Sequence, residues 1–279
     1  MKRFTCIEIS GTNEWCQQIY NDVKDDIPEE LRKRYQYKGS GPLELPLEKD
    51  NPSYSYVIGM AQQNDQTPYV YQIVEYTKSE IEDSEYFQMS IHNPFELQAV
   101  DNEDDFGTKY EGGCSNPKCR IGKILVGDAL ADRKLLRKRD IGRMNPGIFV
   151  SEKLKNVVCE AGLTGVSFDH EVKDYKGREM EKAYVMDITS VLPPMASSTW
   201  LIVEDRNTFI DECGHHNPYL RSDIQYEREK LNDAKDFNLS SEYLYGLRRY
   251  QEIVVSAKVR KLFIQRKIRA GFTPVAILD

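Results

Sequence analysis

The chain has 279 residues, 40% of them hydrophobic and 30% charged, with a formal net charge of −7. That composition excludes wholesale disorder, and the length favours two cores over one. No apolar run approaches the roughly 18–20 residues that span a bilayer, and the first residues hold no apolar signal-peptide core, so a cytoplasmic protein without a membrane partner is expected.

In chain order, residues 3–10 alternate and predict a strand. Residues 14–36 predict two short helices broken near Pro28, because proline suits the first turn of a new helix. The glycines and prolines of 38–46 predict a loop. Residues 53–60, 67–77 and 86–93 are rich in aromatic and β-branched side chains and read as strands. The expected fold class is therefore α+β, beginning with an N-terminal α+β domain, 1–105, around a small antiparallel sheet. The acidic, glycine-containing stretch 96–113 reads as the boundary. A second domain, 110–279, then opens with a Cys114/Cys119 hairpin and a basic stretch, 132–143. It continues with strands at 182–194 and 199–205, a loop at 210–220 and a charged helix over 222–237.

Inside that second domain a pattern is written twice. Residues 147–172 (GIFVSEKLKNVVCEAGLTGVSFDHEV) and 252–277 (EIVVSAKVRKLFIQRKIRAGFTPVAI) share an apolar run, a serine, a lysine two residues on, and one helical stripe. In the first copy Ser151 precedes Leu154, Val157, Val158 and Ala161, the spacing of an amphipathic helix capped by serine. In the second, Ser256 precedes Val259, Leu262 and Phe263. Gly162 suits the left-handed residue that ends a helix, and Lys267 stands in its place in the second copy, so that end is expected to be made differently. Each copy closes on a short strand, and the whole is read as a duplicated strand-helix-strand unit. Residues two apart on a helix point in different directions, so Ser151/Lys153 and Ser256/Lys258 are helix starts and not Ser–Lys catalytic dyads.

The cysteines carry the only metal signal. Six cysteines are too few and too scattered for a disulfide scaffold, and in a reducing compartment a close pair binds metal or packs. Cys114 and Cys119, flanked by Gly112, Gly113 and Gly122, have the form of a knuckle in which a tight turn brings two thiolates onto one ion. Cys213, His215 and His216 cluster further on. Cys114, Cys119, Cys213 and either His215 or His216 would make a closed Cys3His structural zinc site; the alternative is thiols in a loop and a surface histidine pair. Cys6, Cys16 and Cys159 are expected as buried small hydrophobes.

The order of these pieces is a cysteine knuckle, Asp140-Ile141, IFVSEKLKNVVCEAGLTGVSF, LPPMASST, a second Cys-Gly, Asp236-Phe237 and IVVSAKVRKLFIQRKIRAGFTPV. Across residues 110–279 it resembles the double-CXXCG immunity-like proteins of bacterial polymorphic toxin systems. The family's first CxxCG stands here as Cys114-x4-Cys119 with Gly122 displaced, and Ile210 occupies the first cysteine position of the second motif. The resemblance implies a cytoplasmic, non-enzymatic protein that binds and neutralises a cognate toxin, with cysteine knuckles in its two related units.

The acidic balance argues against a dedicated nucleic-acid binder and suits a basic, nuclease-like toxin. Three acidic runs are candidates for steering it: Asp22, Asp25, Asp26, Glu29 and Glu30; Glu80, Glu82, Asp83 and Glu85; and Asp101, Glu103, Asp104 and Asp105, the last being the first choice for contact. Tyr54, Tyr56, Tyr69 and Tyr71 are candidate anchors. Two alternatives stand beside this reading. One is a zinc-knuckle adaptor for nucleic acid or protein that uses Arg133, Lys134, Arg137, Lys138, Arg139 and Arg143. The other is a metal-dependent hydrolase built on Cys213, His215 and His216, although no nucleophile elbow, P-loop or HExxH motif accompanies them.

Overall fold

Ile7 and Ile9 project from one face of the first strand, β1 (Lys2–Ile9), and are fully shielded from water. The computed structural model describes residues 1–91, 109–114, 124–131, 140–143, 147–202, 218–244 and 250–279. The described chain is a mixed α+β structure with several small, mainly antiparallel sheets. It divides into two compact units, the first comprising Met1–Glu82 with 199–201 and 220–223, the second the remainder.

In the first unit β1 is the centre of a three-stranded antiparallel sheet, between β2 (Leu43–Leu47) and β3 (Tyr69–Glu75). Helix α1 (Asn13–Val23), the single turn α2 (Glu29–Arg32) and α3 (Pro52–Gln63) cover the Ile7/Ile9 face with Cys16, Ile19, Val23, Leu31 and Val57. Thr12 caps α1 by accepting the Trp15 amide at 3.3 Å. The break expected near Pro28 is present, with Pro28 capping α2. Helix α4 (Lys78–Asp83) begins with a capping box, in which the Glu80 carboxylate accepts the Thr77 amide and the Thr77 hydroxyl accepts the Glu80 amide.

Two sequence expectations fail in this unit. Residues 43–47 are a strand rather than a loop: Leu43, Leu45 and Leu47 alternate into the core, and Pro46 is tolerated because β2 lies at the sheet edge. Residues 53–60 are helix rather than strand. Asn51 accepts the Ser53 amide at 2.8 Å, Pro52 takes the first turn, and Tyr54, Val57, Ile58 and Ala61 fall on one helical face.

The second unit holds two sheets of matching plan. The first is built from β7 (Ala129–Ala131), β8 (Ile141–Arg143), β9 (Ile148–Ser151), β10 (Val166–Ser167), β11 (Glu171–Asp174) and β12 (Ala183–Ile188). Its order is β7-β11-β12-β9-β8, with β10 also on β12. Helix α5 (Glu152–Glu160) follows β9 directly. The second sheet has the order β16-β17-β4-β18, from β4 (Tyr86–Ser90), β16 (Phe237–Leu239), β17 (Ile253–Ser256) and β18 (Gly271–Pro274), with α6 (Ala257–Gln265) following β17. A ribbon of β5 (Lys109–Glu111) and β6 (Ile124–Val126), a two-residue pair β13 (Leu201–Ile202) and β14 (Tyr219–Leu220), and the parallel pair β15 (Gln225–Glu227) and β19 (Ala276–Leu278) complete the strands.

The two sheets agree in detail. Ile141 faces Val150 across β8 and β9, and Phe237 faces Val255 across β16 and β17. The Ser151 amide donates to the Asp140 carbonyl and the Ser256 amide to the Asp236 carbonyl, both at 2.9 Å. Ser151 lies opposite Ala183 on β12, and Ser256 opposite Tyr86 on β4. The helix ends also match. Gly162 has φ 61° and Lys267 φ 57°, and the next amides, Leu163 and Ile268, return to the Val158 and Phe263 carbonyls. The lysine thus adopts the same left-handed turn as the glycine, correcting the expectation of a different end.

Strand β4 therefore fills in the second sheet the place that β12 fills in the first. It pairs antiparallel with β17 on one side and β18 on the other. The first unit accordingly ends at Glu82, earlier than the expected boundary at 105, and β4 belongs to the second. The sheets are joined where the Thr164 amide and hydroxyl both donate to Asp236 at 3.0 Å. Gly165 (φ 87°) passes so close to the Phe237 carbonyl that a Cβ would lie 2.1 Å from its oxygen, so only glycine fits. The expected helix over 222–237 is instead β15, a 3-10 turn at Arg228–Leu231 and the start of β16. Pairing with β19 and β17 overrides the local charge pattern there. No helix among the described residues is long and apolar enough to cross a membrane.

Phe87 on β4 is buried, and its ring meets Phe272 edge-on at 6.4 Å. Phe87→Ala is expected to cost about 3–5 kcal/mol of unfolding free energy, read from urea denaturation. A loss below about 1 kcal/mol would mean that β4 does not anchor this sheet.

Candidate functional site

The expected zinc ligands fall largely outside the described residues: Cys119, Cys213, His215 and His216 all lie there. Cys114 is described. It follows Gly112 and Gly113, whose positive φ values of 72° and 64° only glycine adopts cheaply, and it is half-buried. Just before it, Glu111 pairs with Ile124 across the antiparallel β5–β6 ribbon. Among the described residues no group of three or more histidine, cysteine or acidic side chains stands in position to hold a metal.

The remaining cysteines differ from one another. Cys6 and Cys16 are buried as expected. Burial pushes the Cys6 thiol up to about 12, against the opposing pull of a hydrogen bond with Tyr71, and burial likewise raises Cys16. Neither supplies a thiolate near neutral pH. Cys159 is exposed, correcting the expectation that it packs inside: it occupies the solvent side of α5, while Leu154, Val157 and Val158 face the core.

The serine-lysine pairs are helix starts held by an aspartate. Ser151 accepts the Leu154 amide at 3.2 Å and donates to Asp140 at 3.0 Å, and Lys153 reaches the other oxygen of Asp140 at 3.2 Å. Ser256 donates to Asp236 at 2.7 Å and accepts no capping amide. Burial alone would raise Asp236. Hydrogen bonds from Ser256 and Thr164, with Lys258 nearby, outweigh it and hold the carboxyl below its ordinary value. A hydroxyl that donates to a carboxylate while capping a helix is spent on structure.

The acidic candidates separate by use. Glu80 is engaged by the N-terminal ammonium and Thr77, which lower it to about 2; Glu82 faces Lys78 at 3.8 Å; Glu85 accepts Arg228 at 2.9 Å; and Asp83 is exposed. Asp101, Glu103, Asp104 and Asp105 lie outside the described residues. In the run from 22 to 30, Asp22, Asp25, Asp26, Glu29 and Glu30 are all exposed, at the end of α1 and over the turn into α2. Tyr56, 40% exposed on α3, donates its hydroxyl to Asp22 at 2.8 Å, and Ser53 donates to Asp26 at 2.6 Å. Lys2 neutralises Glu30 at 2.6 Å. What remains is an anionic face with one aromatic edge.

The other expected anchors are engaged elsewhere. Tyr54 packs on the first core, the rings of Tyr69 and Tyr71 meet at 5.5 Å, and the Arg221 guanidinium lies 3.1 Å from the centre of the Tyr69 ring. Of the basic stretch, Arg143 is on β8 and Arg133, Lys134, Arg137, Lys138 and Arg139 lie outside the described residues.

No protein-family model matches the chain, and no curated protein is similar to it in sequence.

Asp236 sets a pH window. Its folded-state pKa is depressed, so its stabilisation is present above the ordinary carboxylate range and is lost as pH falls through the folded value. Asp236→Asn should lower the urea midpoint at pH 7 by the equivalent of about 1–3 kcal/mol. It should also flatten the acid limb of stability against pH. An unchanged acid limb would remove Asp236 from its role as the clamp.

Proposed function

We propose that this protein binds and neutralises a cognate bacterial toxin by forming a stoichiometric complex, as the resemblance of residues 110–279 to double-CXXCG immunity-like proteins implies. The observation that carries the binding mode is the exposed carboxylate face of Asp22, Asp25, Asp26 and Glu29 beside Tyr56. Clustered charge of one sign steers an oppositely charged partner and fixes its orientation, and a tyrosine edge gives such a face an apolar foothold. The partner is a basic toxin of nuclease type, and the protein acts without turnover. Asp101, Glu103, Asp104 and Asp105 extend the same acidic character along the sequence.

The strand-helix units of residues 147–172 and 252–277 are, in this reading, two copies of one building block. Their matched serine, aspartate and helix-end bonds support the duplication. The β5–β6 ribbon supports the zinc reading, because Cys114 follows its first strand at the Gly112-Gly113 turn. Cys213 with His215 or His216 would supply the remaining ligands of a structural, non-catalytic ion.

Co-expression of the toxin encoded beside this gene tests the function. Survival of the cells together with a co-purified one-to-one complex is expected, and Asp25→Lys/Asp26→Lys should weaken that complex at least about tenfold at low salt. Survival without a complex would replace binding by an enzymatic reversal of damage.

The metal is tested apart from the toxin. Native mass spectrometry of the untagged protein should show one zinc ion that is lost in Cys114→Ser/Cys119→Ser. A metal-free mass for the unaltered protein ends the zinc proposal and leaves the binding proposal standing.

A further inference from the structure

The solvent side of α6 and the turn that ends it form a basic face that the fold does not require. Residues 253–278 contain Lys258, Arg260, Lys261, Arg266, Lys267 and Arg269 and no aspartate or glutamate, within a chain of net charge −7. Lys258, Lys261, Arg266, Lys267 and Arg269 are exposed. Arg260 is half-buried, its guanidinium 5.0 Å from the centre of the Phe87 ring, and Lys258 lies near Asp236. Lys261, Arg266, Lys267 and Arg269 make no ion pair among the described residues.

Helix α5 is an internal control, since it occupies the matching position in the first sheet. Its four charges are two acids and two bases, and three of them are engaged: Lys153 reaches Asp140 at 3.2 Å, Glu152 meets Lys182 at 3.6 Å, and the Lys155 ammonium sits 3.5 Å from the centre of the Tyr184 ring. The same supersecondary element is therefore built without a surplus of positive charge. The helix dipole favours Arg266 and Lys267, which follow the last turn, but it disfavours Lys258 in the first and is indifferent to Lys261 at mid-helix. Lys267 holds φ 57° where its counterpart is Gly162. A side chain is kept at a position that glycine fills with less strain.

We propose that this face binds the phosphate backbone of nucleic acid, without reading its sequence. Long, unpaired lysines and arginines spread along one helical face and its terminal turn match a row of phosphates. Lysine is depleted in the cores of protein–protein interfaces, so a face rich in it is a poor protein-docking core. A helix lying in a membrane surface needs its apolar side free, and in α6 Val259 and Phe263 are committed to the protein core. The net negative charge does not forbid the contact. At physiological salt the screening length is about 8 Å, so the phosphates respond to the local patch rather than to the whole-chain sum. This assignment is independent of toxin binding, because its ligand and its residues are different.

The test is fluorescence anisotropy of the full chain with a labelled DNA duplex of arbitrary sequence and with a labelled single-stranded RNA. Either probe should bind at roughly 50 mM salt and lose on the order of a hundredfold in affinity by 200 mM, the slope for about four neutralised phosphates. Lys261→Glu/Arg266→Glu/Arg269→Glu should abolish binding while leaving the urea midpoint unchanged. The milder Lys261→Gln/Arg266→Gln should shift the affinity and the salt slope together. Failure of both probes at 50 mM salt overturns the proposal, as does binding that survives the charge reversal. Binding only to vesicles containing phosphatidylserine also overturns it and makes the face a membrane contact.

Discussion

The second unit depends on a strand that arrives from far away in sequence. Tyr86–Ser90 lies between Ile253–Ser256 and Gly271–Pro274, so the last sheet of the chain is zipped around a segment that precedes nearly all of that unit. Without it, two strands would each present an unpaired edge toward the other, and an exposed edge is a template for aggregation. The closure is non-local, with a loop entropy that must be met before the pairing repays it, which makes folding of this sheet slow relative to that of its neighbour. In the first sheet the equivalent strand, Ala183–Ile188, follows its helix within the same stretch of chain. One architecture is thus reached by two connectivities.

The two aspartates explain how the matching sheets stay in register with their helices. Asp140 and Asp236 each stand one residue before an edge strand, and each takes the hydroxyl of the serine that ends the neighbouring strand and begins the helix. A carboxylate bonded to that hydroxyl fixes the end of the hairpin and the start of the helix together. In the second sheet the carboxylate also takes Thr164, the exit of the first helix, and so ties one sheet to the other. Removing the charge leaves several donors without an acceptor at a partly buried point, where unmet hydrogen bonds cost most.

What was legible in the sequence was local. The serine before an apolar helical stripe announced both helices of the second unit, and apolar residues at alternate positions, Phe4 and Cys6 on one face and Ile7 and Ile9 on the other, announced the first strand. Pattern failed where composition masked periodicity. Tyr54 and Tyr56 look like strand residues until Asn51 and Pro52 are recognised as a helix start. Leu43, Leu45 and Leu47 alternate cleanly, but the surrounding glycines and prolines suggest a loop. The partner of β17 was not legible at all, because strand pairing across most of a domain leaves no periodic mark. Of the acidic candidates, sequence grouped Glu80 and Glu85 with the rest; only geometry shows that they are already occupied, by Thr77 and the N-terminus and by Arg228.

The same distinction governs charge. A net value averages over faces that a partner never meets together, and it describes colloidal behaviour better than recognition. Within this chain the carboxylates of 22–30 are exposed, with Glu30 alone of them in an ion pair, to Lys2, among the described residues, while residues 253–278 present cations with no acid among them. The matching plan of the two sheets makes this partition possible: once a helix and its sheet are secured by an aspartate, a serine and an apolar stripe, the outward positions are open to change. In α5 those positions are mixed in sign and largely engaged; at α6 and the turn after it, Lys261, Arg266, Lys267 and Arg269 are positive and make no ion pair among the described residues. A fold whose internal bonds repeat while its surfaces diverge has separated what holds it together from what it presents to a partner.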